Sequence, residues 1–136
     1  GDGPGVYEFK SQANKINHDH ISFLRTLNRK ELNHIYSKCH IILLPTSASE
    51  GFPKVLAEGM ANGCVPIVSN VGCIKQYIDE NNGIILNTLD PACLKESIKF
   101  VLSNRGLLKK KANTGIGLAK SFTYEIYNTK VVRMIT

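Results

Sequence analysis

Two glutamates eight positions apart, Glu50 and Glu58, bracket the run Gly51-Phe52-Pro53-Lys54. A carboxylate only accepts hydrogen bonds and can take them from two hydroxyls at once, so its matching donors are the diols of sugars and ribose. Along a helix, eight residues span at most about 12 Å at 1.5 Å per residue. That span suits contacts to both ends of a nucleotide sugar folded over a helix terminus. Gly51 lets the backbone approach a ligand closely, and Pro53 near the first helical position costs no hydrogen bond. The free N–H groups and positive dipole end of such a helix favour a phosphate or a polarised hydroxyl. A plainer alternative stands beside this one. Acidic residues near a helix start compensate its dipole and aid solubility, and Lys54 and Glu58 are i, i+4 neighbours that can pair on the surface. One feature favours the ligand: the rest of this helix is almost entirely apolar, which sets Glu58 close to buried surface, where charge needs a partner.

The elements that must position these residues alternate between strand and helix, the pattern of a parallel sheet covered on both faces. Residues 6–15 are expected to form a weak helix, and Ile21-Ser22-Phe23-Leu24 a strand. Asn28 and Glu31 form a capping box, with Leu27 and Leu32 as its hydrophobic staple. Leu32, Ile35, Tyr36 and Cys39 then fall on one buried helix face. His40 to Leu44 is an apolar central strand ending at Pro45, and the glutamate-bearing helix stops at Asn62-Gly63. A buried strand over Val65–Ser69 follows, then a short helix over Ile74–Asp79 closed by Asn82-Gly83, and a strand Gly83–Leu86. Asp90 and Pro91 open a helix whose stripe is Leu94, Ile98, Val101 and Leu102, ending by Gly106. Helical stretches over 107–119 and 124–134 complete the chain. In open parallel sheets ligands bind at the carboxyl ends of the strands, which directs attention to Leu24–Leu27, Pro45–Phe52 and Ser69–Cys73.

Composition supports one ordinary globular domain: 136 residues with 43% hydrophobic and 21% charged side chains can bury a single core. No apolar run approaches the roughly 18 residues of a membrane span, and Gly1-Asp2-Gly3-Pro4-Gly5 has no character of an export signal. The net charge of +6, densest at Arg105, Lys109, Lys110, Lys111, Lys120, Lys130 and Arg133, suits phosphate-bearing partners or simple solubility; no nucleic-acid signature accompanies it. Cys39, Cys64, Cys73 and Cys93 form no C-x-x-C pair and are expected to be buried free thiols in a reducing compartment. His18-Asp19-His20 has no matching Cys/His pair, so no metal site is expected and these are exposed loop residues.

The run from Pro45 to Val68, with Glu50-Gly51-Phe52, a second glutamate at Glu58, the small-residue turn at Asn62-Gly63 and a strand containing Pro66, resembles the signature of family-four (group 1) retaining glycosyltransferases of GT-B fold. The resemblance extends over nearly the whole chain: Gly1-Asp2-Gly3-Pro4 is similar to the family's glycine-rich turn, Ile21–Leu27 to its next strand and loop, and Asn82-Gly83 to its late turn. It implies a Rossmann-like parallel sheet with helices on both faces, with residues 1–136 forming one partial donor-binding C-terminal domain. Under it, Glu50 is the candidate catalytic residue and contacts hydroxyls of the donor sugar, Glu58 binds the ribose diol, and the backbone at Gly51, Phe52 and Lys54 approaches the sugar and phosphate. Pro53, in the same donor-binding stretch, supplies no amide. Leu24, Arg25 and Leu27 line the base, although Arg25 stands where the family usually has glycine, and Gly3 belongs to the glycine-rich turn.

The resemblance further implies a nucleoside diphosphate sugar as substrate, no cofactor and no metal, and transfer to a glycan or lipid-linked acceptor held by an N-terminal domain. It implies a cytoplasmic setting with peripheral contact at the inner membrane face, a role in polysaccharide synthesis, and no nucleic-acid partner. The family's donor domain opens with a strand and helix carrying an arginine and a lysine for the diphosphate, which are expected upstream of Gly1. The sheet is accordingly expected to be a four-stranded remnant. It would be only marginally stable, and the isolated chain would transfer no sugar. Two alternatives remain: a non-catalytic nucleotide- or partner-binding module of the same fold, and a dinucleotide-dependent oxidoreductase. The second fits poorly because Val6 interrupts the G-x-G-x-x-G pattern.

Overall fold

The computed structural model describes residues 3–16, 20–48 and 51–135. The chain divides into two compact units, Gly1–Leu32 and Asn33–Thr136. In the first, α1 (Val6–Lys15) carries Glu8 in its first turn and Lys15 in its last, the polarity that a helix dipole favours. Lys10 Nζ lies 5.9 Å from the centre of the Phe23 ring, a cation–π contact between α1 and the segment that follows. Helix α2 (Arg29–Tyr36) opens with the predicted reciprocal cap: Glu31 N–H donates to Asn28 Oδ1 at 3.0 Å and Asn28 N–H to Glu31 Oε2 at 2.9 Å. The unit boundary falls within this helix.

The expected strand at Ile21–Leu24 is absent: residues 21–28 hold neither helix nor strand. An apolar run becomes a strand only where a neighbour offers its N–H and C=O groups. Here Ile21, Phe23 and Leu24 stay more than 40% exposed (43%, 43% and 44%).

The second unit is built on β1 (Ile41–Leu44), β2 (Val65–Ser69) and β3 (Ile84–Leu86). They form a wholly parallel three-stranded sheet in sequence order, with helices on both sides. Three strands replace the four expected, because residues 21–28 join no ladder. Every residue of β2 is buried, as a central parallel strand requires, whereas Leu43 of the flanking β1 is 44% exposed.

Helices α3 (Lys54–Ala61), α4 (Pro91–Ser103), α5 (Arg105–Ala119) and α6 (Tyr124–Ile135) complete the unit. Leu56 and Met60 of α3, Val68 of β2, Ile74, Ile78 and Ala119 make one core, flanked by Ile42, Leu44, Phe52, Val71, Ile85 and Leu118. Gly59 of α3 packs closely on Ile42 of β1: a Cβ there would lie 3.0 Å from Ile42 Cδ1 and would press that side chain aside. Gly63 ends α3 in the left-handed region at φ 84°, which a side chain resists.

Asp90 caps α4 through its carboxylate, accepting from Ala92 N–H at 3.2 Å, with Pro91 at the first position. The helix expected over 74–79 is only a 3-10 turn at Ile74–Gln76. Asn82 closes it early, its Oδ1 accepting from Asp79 N–H at 3.0 Å and its Nδ2 donating to Tyr77 C=O at 2.8 Å. Cys39 lies beyond the end of α2 and is exposed, and so is Cys93; only Cys64 is buried. Leu102 turns half outward at 50% exposure while Val101 carries the buried contact of α4. No helix among the described residues is long and apolar enough to cross a membrane.

Candidate functional site

The loop from Pro45 onward leaves the carboxyl end of β1 and returns as α3. Pro53 stands at its N-cap with φ −68° and ψ 124° rather than inside the helix. Proline's fixed φ suits that entry. The helix starts at Lys54, whose side chain is exposed, and the first amide bonded back is that of Leu56, donating to Pro53 C=O at 3.0 Å. The amides of the first helical turn thus open at the end of the sheet where ligands bind in parallel folds. Nothing lies within 4 Å of where a Gly51 Cβ would stand, so the backbone there is open to approach. Glu50 lies outside the described residues.

Glu58, one turn into α3, is half-buried. It makes no ion pair with Lys54; among the described residues Lys99 and Glu96 form the one ion pair. Its charge is felt at Tyr36, whose phenol is pushed above its ordinary value first by burial and then by the Glu58 charge. Beneath them, burial chiefly, helped by Cys39, pushes the Cys64 thiol up to about 11. That thiol donates to the carbonyls of Tyr36 at 3.4 Å and Cys39 at 3.5 Å. Cys64 is therefore a neutral strut beneath α2's end, with no character of a nucleophile. Ser69, at the carboxyl end of β2, is 4% exposed, and its hydroxyl finds no partner among the described residues.

Of the residues named from sequence, Gly51, Phe52 and Pro53 lead into α3, and Lys54 and Glu58 lie in its first five positions, all in the second unit. Gly3, Leu24, Arg25 and Leu27 belong to the first. There Gly3 and Leu24 line one open cavity of about 500 Å³ with Phe9 and Phe23. Sequence reasoning missed the ring cluster around Phe52: it stacks on Phe122 at 4.6 Å and meets Tyr77 at 4.7 Å. Positions 52, 77 and 122 share no spacing that would have joined them. It also missed Tyr36 as a neighbour of Glu58, although Tyr36 was assigned to a buried helix face and Glu58 was expected close to buried surface.

A parallel α/β sheet with an open helix start beyond its first strand defines a Rossmann-like class of domain. The model of the family described as glycosyl transferases group 1 matches residues 1–117, and the chain belongs to that family. An uncharacterized glycosyltransferase of Methanocaldococcus jannaschii is 32% identical over 126 residues, covering 92% of this chain and 36% of that protein. Among solved structures, sucrose-phosphate synthase from Thermosynechococcus elongatus superposes with a TM-score of 0.83 at 22% identity, covering 99% of this chain and 35% of that one. Anabaena HepE in complex with UDP superposes with a TM-score of 0.85 at 17% identity, covering 96% of this chain and 36% of that one. The chain thus spans about a third of the length of these relatives.

Proposed function

We propose that this chain is the donor-binding part of a retaining glycosyltransferase that uses a nucleoside diphosphate sugar. The observation that carries the reading is the start of α3. Gly51–Lys54 present open backbone at a helix N-terminus, and half-buried Glu58 follows one turn later beside Tyr36. In this reading the helix end receives the diphosphate, Glu58 accepts from the ribose diol, and Glu50 accepts from the sugar and serves as the catalytic residue. Gly3, Leu24, Arg25 and Leu27 border the base. The reading draws support from Anabaena HepE, which has been solved with UDP and with UDP and glucose. It uses no metal and no cofactor. Catalysis comes from holding the sugar in place and stabilising the leaving diphosphate. The acceptor, a glycan or lipid-linked sugar, is bound elsewhere in the enzyme, in the cytoplasm and in peripheral contact with the inner membrane face.

Calorimetry with UDP and a UDP-sugar, on the enzyme that carries this chain, tests the assignment. Glu58→Gln is expected to weaken both ligands by roughly 1.5–3 kcal/mol, the worth of a hydrogen bond to a charged group. Glu50→Gln is expected to weaken mainly the sugar-bearing one. Equal affinities in wild type and both variants would sink the reading.

A further inference from the structure

We infer that Tyr77 and Phe122 are positioning residues for the loop that opens α3, acting on it through Phe52. The inference rests on the donor-site reading above. Three rings from three separate segments meet here. Phe52 belongs to the loop, Tyr77 follows the 3-10 turn beyond β2, and Phe122 lies in the 3-10 turn Lys120–Phe122 after α5. Phe52 and Phe122 lie nearly parallel, 10° apart with centroids at 4.6 Å. Tyr77 closes the triangle on Phe52 at 4.7 Å and 56°, and on Phe122 at 5.2 Å and 64°. These are favoured offset and edge-on ring geometries.

Among the described residues little else holds the loop. Among the described residues no backbone hydrogen bond ties Gly51, Phe52 or Lys54 to another segment, and Gly51 has open space around it. Phe52 itself packs against the core of Leu56, Met60 and Ala119. Among the described residues its ring therefore ties the loop to the body, and Tyr77 and Phe122 fix where that ring sits. An error there passes directly to the neighbouring amides, since Phe52 lies between Gly51 and the first turn of α3.

The test uses the enzyme that carries this chain, with Phe122→Leu, Tyr77→Leu and the ring-preserving Phe122→Tyr. Amide exchange of residues 51–56 and UDP affinity are measured on each. Both leucine variants are expected to exchange faster at 51–56 with β2 unchanged. They should bind UDP about five-fold more weakly, the scale of one lost aromatic contact. Phe122→Tyr, which keeps the ring, should leave both readouts at the wild-type level, and the unchanged exchange of β2 separates a local effect from a general loss of packing. Should Phe122→Leu fail to fold, Tyr77→Leu carries the test, because that ring is already 38% exposed. Unchanged exchange at 51–56 in a folded leucine variant overturns the inference. So does faster exchange with UDP affinity intact, where Glu58→Gln still weakens UDP. If Glu58→Gln leaves UDP binding untouched, the donor-site reading itself falls and the role assigned here falls with it.

Discussion

The two units of the chain solve the burial problem to very different degrees. Within Gly1–Leu32 one described side chain, Ala13, is buried, while Tyr7 is 85% exposed and Phe9 62%. Within Asn33–Thr136, Leu56, Met60, Val65, Ile67, Val68, Ile78 and Val101 are each completely shielded. Since stability follows buried apolar area, cooperative unfolding belongs to the second unit, and the first opens at lower cost. The candidate ligand contacts divide the same way. Gly51–Glu58 are seated on a packed core, whereas Gly3, Leu24, Arg25 and Leu27 stand on a segment that buries little.

The comparison can be broken most sharply in the core. Leu56→Ala removes a fully shielded side chain and is expected to cost about 2–5 kcal/mol, seen in denaturant melts followed by circular dichroism. A loss under about 1 kcal/mol would mean that the second unit is not the cooperative one.

The next effect is read by varying pH. Folding raises the Cys64 pKa from 9.0 to about 11. The unfolded thiol therefore gives up its proton first, and the stability present below pH 9 is lost as pH climbs from 9 to 11. The loss is at most roughly 3 kcal/mol, at ~1.4 kcal/mol per pKa unit. Cys64→Ala should flatten that fall; an unchanged slope would show that another group causes it.

Lys111 comes third. It is 5% exposed and donates from Nζ to the carbonyls of Glu80 and Gly83. Lys111→Met leaves those carbonyls unpaired, at an expected cost of about 1–3 kcal/mol. Burial lowers the Lys111 pKa below the ordinary 10.5. In the window just under that value the unfolded chain binds more protons, so the lysine's contribution improves as pH rises, opposite in sign to Cys64. Melts of Lys111→Met between neutral pH and pH 10 should lack this upward component; its persistence would assign it elsewhere.

The smallest effect is expected in the first unit. Tyr7→Ser should change stability by no more than about 0.5 kcal/mol. A clear loss in the thermal midpoint would show that this unit contributes to the cooperative core.

Much of the second unit was legible because its strands are short apolar runs punctuated by proline, asparagine and glycine. The pairs Asn62-Gly63 and Asp90-Pro91 mark element ends by their own backbone chemistry. The run Ile21–Leu24 carries the same composition without becoming a strand, because hydrophobicity reports what a segment prefers and not whether a neighbour is present to pair with it. Lys111 was read with Lys109 and Lys110 as surface charge. Only the carbonyls of Glu80 and Gly83, about thirty positions earlier, explain why it turns inward. The glutamate turn stood out since its residues are contiguous, whereas the rings behind Phe52 were invisible because they are gathered from remote segments.

Pro66, the second residue of the central strand, has a consequence for how the sheet finds its alignment. Val65 N–H bonds to His40 C=O on the β1 side at 2.9 Å, so the amide missing from Pro66 faces β3. Pairing with β3 starts only one residue later, at Ile67 with Ile84. The native ladder therefore loses nothing. Were β3 to slide two places toward the start of β2, keeping its faces correct, Pro66 would have to donate a hydrogen bond it does not possess. A slide of one place is already rejected because it turns every side chain to the wrong face. The proline thus acts as a stop on one side of the sheet, discarding a misaligned partner during folding at no cost to the finished structure.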